Sequence, residues 1–270
     1  MKIWKNTKTL DEYLDDRFKL VDQAEAELAI VGGKPIYFDQ FPRLKGIFKC
    51  GVGKDNLPYA EASARGVEIR IASSETSEIV FKETANFACH LILEQAYANA
   101  GQLDGWVKNP RRFLGDQNLL VIGAGHIGSR VAHVMAPLFN VEKFDAITHQ
   151  PKALEAMIRR ADFVSLHIPL MPSTTGFIDE EKLSWMKTGA VLVNTARGPV
   201  VDENALLSEI ASGRLRATFD VFWQEPYTGP LREYHPSQFK MSPHLASTCS
   251  SFLTGLTADL VEFGRSLKLC

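Results

Sequence analysis

Short apolar runs alternate with amphipathic stretches along almost the whole chain. Thr9-Leu10-Asp11-Glu12 has the form of a capping box. Leu10, Tyr13, Leu14, Phe18 and Val21 then fall on one helical face, so a helix is predicted from Thr9. Little chain precedes it, and no strand is assigned there. Leu28–Val31 reads as a strand stopped by Gly32-Gly33, and Ile47–Cys50 as another, ending in Gly51-Val52-Gly53. A helix over Pro58–Arg65 ends at Gly66, a residue suited to the position after a helix, and a strand follows over Val67–Ile71. A long helix is predicted from Thr76 to Ala98.

Farther on, strands are predicted over Leu119–Ile122, Val141–Phe144, Phe163–Leu166, Ala190–Asn194 and Ala217–Phe219. Helices are predicted over Ile127–Leu138, Ala153–Arg160, Asp179–Met186, Glu203–Ser212 and Ser247–Leu267. Such alternation implies an α/β protein with parallel sheet covered on both faces. No internal repeat or low-complexity stretch interrupts it.

The most informative local feature is Gly123-Ala124-Gly125-His126-Ile127-Gly128. A bare GxGxxG is common, but here a strand leads in and a helix leads out. Gly123 permits the tight turn, Gly125 lets backbone approach a pyrophosphate, and Gly128 lets helix pack on strand. The helix start offers N–H groups and partial positive charge to phosphates. An acid is expected roughly 20 residues on. Asp145 stands there, directly after a predicted strand, with no Arg or Lys between it and Gln150. Its carboxylate suits ribose hydroxyls and repels a 2′-phosphate, so NAD is expected over NADP. Otherwise Asp145 is an exposed loop acid. His126 reads equally as a phosphate contact or as a solvent-facing side chain.

Composition narrows the function classes. The 270 residues allow one large domain or two ordinary ones. A hydrophobic fraction of 45% and a net charge of −2 fit a globular protein and argue against a nucleic-acid partner. Lys108–Arg112 (KNPRR) reads as a solvated turn. No apolar run approaches a signal peptide or a membrane span. Cys50, Cys89, Cys249 and Cys270 lack CxxC spacing. No metal site or disulfide framework is predicted, and reduced thiols in the cytoplasm are expected.

Beyond predicted strands in the second half lie Arg197 (in Asn194-Thr195-Ala196-Arg197-Gly198), Glu225 (in Asp220-Val221-Phe222-Trp223-Gln224-Glu225-Pro226) and His244 (in Ser242-Pro243-His244). Arginine suits bidentate binding of oxygens, histidine suits proton transfer near neutrality, and a carboxylate suits pairing with that histidine. Each alone has a plain structural reading: a cap, a surface turn, a hydrogen-bonded structural histidine.

Taken together, the blocks from about Pro42 to Ser251 resemble the D-isomer-specific 2-hydroxyacid dehydrogenases, which include phosphoglycerate dehydrogenases and glyoxylate/hydroxypyruvate reductases. They are Leu44-Lys45-Gly46, GVGKDN from Gly51, GAGHIG, ADFVSLHIPL from Ala161, MKTGAVLVNTARGPVVDE from Met186, FDVFWQEP from Phe219, and SPH. The resemblance implies that Arg197 binds substrate, Glu225 pairs with the histidine, and His244 is the acid/base. It implies cofactor contacts at His167, Pro169, Thr195, Ala196 and Asp220, the last holding the nicotinamide carboxamide; His167 reads equally as a packing residue. Val52 and Gly53 would receive the substrate carboxylate on their amides. Lys49 stands where phosphoglycerate enzymes carry a basic residue, so it reads as a phosphate contact or as a solvated strand-end lysine.

The fold implied is a Rossmann-type NAD-binding domain (96–246) and a discontinuous flavodoxin-like substrate domain (1–95 and 247–270), shortened at the N-terminus, with the site between them. The substrate domain is expected to lack a strand or to have rearranged, and Lys82 is unusual for its place. A homodimer acting on a small 2-hydroxy or 2-keto acid is expected, without membrane or nucleic-acid partners. The rival reading is an NADH-sensing binding protein on the same fold.

Overall fold

A computed structural model describes residues 1–269; Cys270 lies outside the described residues. The chain divides into two compact units, Met1–Phe81 with the segment from Ser247 onward, and Lys82–Ala246.

The first unit is built on five parallel strands: β1 (Lys2–Lys5), β2 (Lys19–Leu20), β3 (Leu28–Val31), β4 (Gly46–Lys49) and β5 (Glu68–Arg70). Their order is β2-β1-β3-β4-β5, the flavodoxin-like order, with Ile3 opposite Leu28 and Ala29 opposite Ile47. Strand alternation feeds two cores. Ile3, Leu28, Ile30 and Phe48 pack with Phe252, Leu256 and Phe263 of the terminal helix Ser250–Ser266. Ala29, Val31 and Ile47 pack with Phe38, Phe41 and Ala62, the last on α1 (Tyr59–Ala64).

Two expectations for the N-terminus fail. No strand is missing: β1 lies inside the sheet, between β2 and β3. It was hidden because it is only KIWK, with Ile3 fully buried on one face and Trp4 edge-on to Phe41 on the other. The predicted helix from Thr9 is also absent, and only Asp11–Tyr13 makes a 3-10 turn. Thr9 Oγ1 pairs with Thr7 Oγ1 at 2.7 Å, and Asp15 accepts the Arg17 amide at 3.0 Å. Such local side-chain bonds compete with helix formation. The apolar residues are still inward, but on both faces: Leu10 and Phe18 join one core, Val21 the other.

The helix α2 (Ser74–Tyr97) belongs to both units. Val80 packs in the first unit's core; Ala85, Ala88, Leu91 and Ile92 pack in the second's. The change of unit therefore falls between Phe81 and Lys82 rather than at 95/96. No glycine or proline marks it, because the helix itself continues.

After α2 the second unit continues with an exposed hairpin, β6 (Gly101–Gln102) and β7 (Val107–Lys108), which the sequence did not disclose. Lys108 is thus in a strand rather than a turn, while Arg111 stacks over Tyr97 at 4.3 Å. The main sheet has β8 (Asn118–Ile122), β9 (Asn140–Phe144), β10 (Phe163–Leu166), β11 (Val191–Asn194), β12 (Arg216–Phe219) and β13 (Phe239–Met241), all parallel, in the order β13-β12-β11-β10-β8-β9. The three-residue β13 was too short to read from pattern. Leu119 and Val121 pack toward α2 and α3 (His126–Met135). Leu120 and Ile122 pack toward α4 (Pro151–Arg160), α5 (Glu180–Trp185) and α6 (Glu203–Ala211). Asp179 and Asp202 cap α5 and α6 through the amides of Lys182 and Ala205, both at 2.9 Å. The chain reverses direction across the sheet between β8 and β10, where ligands of open α/β sheets bind beyond the carboxyl ends.

At the opposite end of this sheet Asp162 accepts the Asn118 amide at 2.8 Å, Arg112 Nη1 at 2.8 Å and Lys187 Nζ at 3.0 Å. Burial pushes its carboxyl up, but these donors outweigh burial and hold it below the usual range. A folded pKa below the unfolded one means that the ionised form favours folding. That contribution is complete above about pH 4, the unfolded value, and is lost as pH falls through the folded value. Asp162→Asn should therefore lower stability by about 1–3 kcal/mol at pH 7, with the difference shrinking below about pH 4. Urea unfolding at several pH values measures this; a constant difference would exclude the ionic role.

Candidate active site and cofactor turn

The turn after β8 is tightly built. Gly123 takes φ +97°, and its amide donates to Phe144 O at 2.8 Å. A Cβ on Gly123 would overlap the His167 carbonyl, and one on Gly128 would overlap the Gly123 carbonyl. Helix and strand can approach this closely only with glycine there. A Cβ on Gly125 would meet nothing within 4 Å. That side of the turn is open, as a cradle for a pyrophosphate requires. Gly125 caps α3 without a side chain, so the first amides of the helix have no side-chain cap to compete with an anion.

Around the turn the expected cofactor residues take different places. Asp145 Oδ2 accepts the Ala124 amide at 3.0 Å and Oδ1 accepts the Ile147 amide at 2.9 Å. These donors hold its carboxyl below the usual range, and the acid sits against the turn at the end of β9. His126 is the exposed first residue of α3, while the side chain of Ile127 packs into the core. His167 Nε2 meets Ser165 Oγ at 2.9 Å, and burial lowers its pKa to about 4. It packs beneath the glycines as a neutral ring. Pro169 is exposed, and its carbonyl accepts Thr174 Oγ1 at 2.6 Å. Thr195 Oγ1, just after β11, is buried without a hydrogen-bond partner among the described residues. An orphaned hydroxyl and an open glycine cradle at the same sheet edge fit a dinucleotide.

The loops after β11, β12 and β13 converge. Asn194, fully buried, donates from Nδ2 to Arg197 O at 2.9 Å and accepts the Ala196 amide on Oδ1 at 2.9 Å. It fixes the loop that carries Arg197, whose Nη1 donates to Ala196 O at 2.7 Å. At Gly198 a Cβ would overlap the backbone of Phe222 and Trp223, so this loop lies directly against the one that carries Glu225. Glu225 Oε1 accepts the Phe222 amide at 3.1 Å, and Oε2 lies 2.7 Å from His244 Nδ1. Burial pushes the Glu225 carboxyl up. The bond and charge of His244, the Phe222 amide and the Arg197 charge outweigh it, and the carboxyl stays below its usual range.

Asp220 is fully buried. Its Oδ1 accepts Ser242 Oγ at 2.6 Å and the Leu245 amide at 3.0 Å, and its Oδ2 accepts the Ala246 amide at 2.9 Å. Burial pushes this carboxyl above the usual range despite those donors. The arrangement holds His244 at φ +52°, a region that non-glycine residues seldom occupy. Here Asp220 organises the histidine loop. Asn194, Gly198 and Ser242 were not singled out from sequence. The one available signal was that each sits within a residue or three of a candidate.

In the first unit, Lys49 contradicts the solvated reading. Only 5% of it is exposed, and its ammonium donates to Gly32 O and Asn56 Oδ1, both at 2.6 Å. Val52 and Gly53 follow in the half-buried loop after β4. Lys82 and Arg130 line a cavity of about 320 Å³ beside α2 and α3.

Comparison with known proteins agrees with this architecture. The model of the D-isomer specific 2-hydroxyacid dehydrogenase NAD binding domain matches residues 88–246. A glyoxylate reductase of Thermococcus litoralis is 31% identical over 248 residues, 82% of this chain and 72% of that protein. A D-3-phosphoglycerate dehydrogenase of Mycobacterium leprae is 34% identical over 241 residues, 83% of this chain but 45% of that longer protein. The D-lactate dehydrogenase of Aquifex aeolicus, complexed with NAD and lactic acid, shares the fold, with a TM-score of 0.79 at 23% identity over 99% of this chain and 95% of that one. The chain belongs to the D-isomer-specific 2-hydroxyacid dehydrogenases, oxidoreductases that use NAD.

Proposed function

We propose that the protein interconverts a small D-2-hydroxy acid and its 2-keto acid, with Arg197, Glu225 and His244 as the catalytic set. The observation that carries this is the His244 Nδ1 to Glu225 Oε2 bond of 2.7 Å, beside a carboxyl that also feels the Arg197 charge.

The pyrophosphate would rest on Gly123, Gly125 and the amides of His126, Ile127 and Gly128, with Asp145 on the adenosine ribose. His167, Pro169, Thr195, Ala196 and Asp220 would complete the edge along which the dinucleotide lies. Bound nicotinamide supplies the hydride in the reducing direction and takes it up in the other. Arg197 holds the keto acid bidentately and polarises its ketone, while the Val52 and Gly53 amides receive its carboxylate. Glu225 accepts a hydrogen bond from Nδ1–H of protonated His244, which leaves Nε2–H as the acid toward the developing alkoxide and gives neutral His244 as the product; that neutral ring serves as base at Nε2 in reverse. Asp220 keeps the imidazole in place.

Residues 103–113 expose Leu103, Trp106 and Phe113, which suits a homodimer joined through the second unit. Free Cys50, Cys89 and Cys249 suit a reducing cytoplasm, and no helix among the described residues is long and apolar enough to cross a membrane.

NADH oxidation against glyoxylate, hydroxypyruvate and pyruvate tests this reading. Turnover on at least one supports it; tight NADH binding without turnover on any favours a sensor instead. His244→Ala should lower kcat/KM by about 10²–10⁴-fold with the Kd for NADH unchanged; full turnover would remove the histidine from the chemistry. Asp145→Ala should weaken NADH binding by about 10- to 100-fold and narrow the preference over NADPH, measured by fluorescence titration of both. An unaltered ratio would separate Asp145 from the ribose.

A further inference from the structure

We propose that Lys49 and Asn56 are positioning residues that clamp the Val52–Gly53 loop, and that Lys49 is no phosphate ligand, so the substrate is an unphosphorylated 2-keto acid. This rests on the assignment of the Val52 and Gly53 amides to the substrate carboxylate.

Lys49 is the last residue of β4, and Asn56 closes the loop that begins there. Lys49 Nζ donates to Asn56 Oδ1 at 2.6 Å, which joins the two ends of the loop. The same ammonium donates to Gly32 O at 2.6 Å, and Asn56 Nδ2 donates to that oxygen at 2.8 Å. A carbonyl oxygen has two lone pairs, and here both serve one loop. Gly32 is itself held in turn: its amide donates to Asn6 Oδ1 at 2.8 Å, and a Cβ there would run into Thr7. Asn56 Nδ2 also reaches Lys34 O at 3.2 Å, and Asn6 Nδ2 donates to it at 3.1 Å. The ends of β1, β3 and β4 are thereby laced together through backbone oxygens.

Two of the three ammonium donors are spent inside the protein, on a side chain that is 5% exposed. Because the residue is only 5% exposed, its ammonium could reach a solvent-borne phosphate only by moving outward, away from Gly32 O and Asn56 Oδ1, and so releasing the loop whose amides must hold the carboxylate. Recognition of one end of the substrate would undo recognition of the other. The basic residue at this position thus serves geometry, and it does so for any keto acid alike.

The test is a double-mutant cycle of Lys49→Met and Asn56→Ala. Each variant should lower kcat/KM by about 10- to 100-fold, the scale of a small misplacement of binding groups. The loss should be equal for glyoxylate, hydroxypyruvate and phosphohydroxypyruvate, with the Kd for NADH unchanged. The double variant should be little worse than either single one, since both release the same loop. Wild-type protein should prefer the unphosphorylated acids. A loss confined to phosphohydroxypyruvate, or a wild-type preference for it, overturns the proposal. Amide hydrogen exchange read in the same proteins separates this from failure of the catalytic reading. Faster exchange at Val52 and Gly53, with β3 and β4 still protected, supports the clamp even if no keto acid turns over. Unchanged exchange at those two amides overturns it.

Discussion

The buried carboxylate of Asp220 is the point on which the geometry of the proposed catalytic set depends. A charge removed from water costs several kcal/mol unless its lone pairs are met, and Asp220 meets three donors from one short segment, Ser242 to Ala246. The segment has to wrap around it, and His244 takes a left-handed backbone in consequence. Local strain of this kind persists only where surroundings over-determine it. Here the over-determination comes from Asp220 on one side and Glu225 on the other. Glycine sets the distances between loops: Gly198 brings the arginine loop against the glutamate loop at backbone contact. Three side chains from three strand ends are thereby held by backbone as well as by the bond between His244 and Glu225.

The same logic governs the cofactor turn. Gly123 and Gly128 remove side chains where strand, helix and the His167 carbonyl crowd together, while Gly125 leaves its outer face open. His167 fills the underside as a neutral ring. A charged ring there would change the local field with pH; the low pKa of about 4 keeps it silent through the physiological range.

The central sheet and its glycine turn were legible because strand, turn and helix signals agree there. Phe163–Leu166 and Leu28–Val31 fall where the apolar runs place them. The arginine, glutamate and histidine could be named from their blocks, but their convergence could not, because it depends on Asn194 shaping its own loop and on Gly198 and Asp220 acting across separate loops. The N-terminus misled for a physical reason. Leu10, Phe18 and Val21 have helical spacing, yet they reach two opposite faces of a sheet, and periodicity records burial without saying which wall is covered. Lys49 misled because a lysine at a strand end is usually solvated; its acceptors, Gly32 O and an asparagine seven residues on, are invisible to composition.

The second unit runs without interruption from Lys82 to Ala246. That single stretch carries the glycine turn, Asp145, Arg197, Glu225 and His244, while the Val52–Gly53 loop lies in the first unit. The proposed reaction machinery is therefore one inheritable cassette, and the loop proposed to receive the substrate carboxylate belongs to its interrupted host. On the proposed assignment, divergence or recombination in the host would retarget the enzyme to new acids without disturbing a residue of the proposed proton relay.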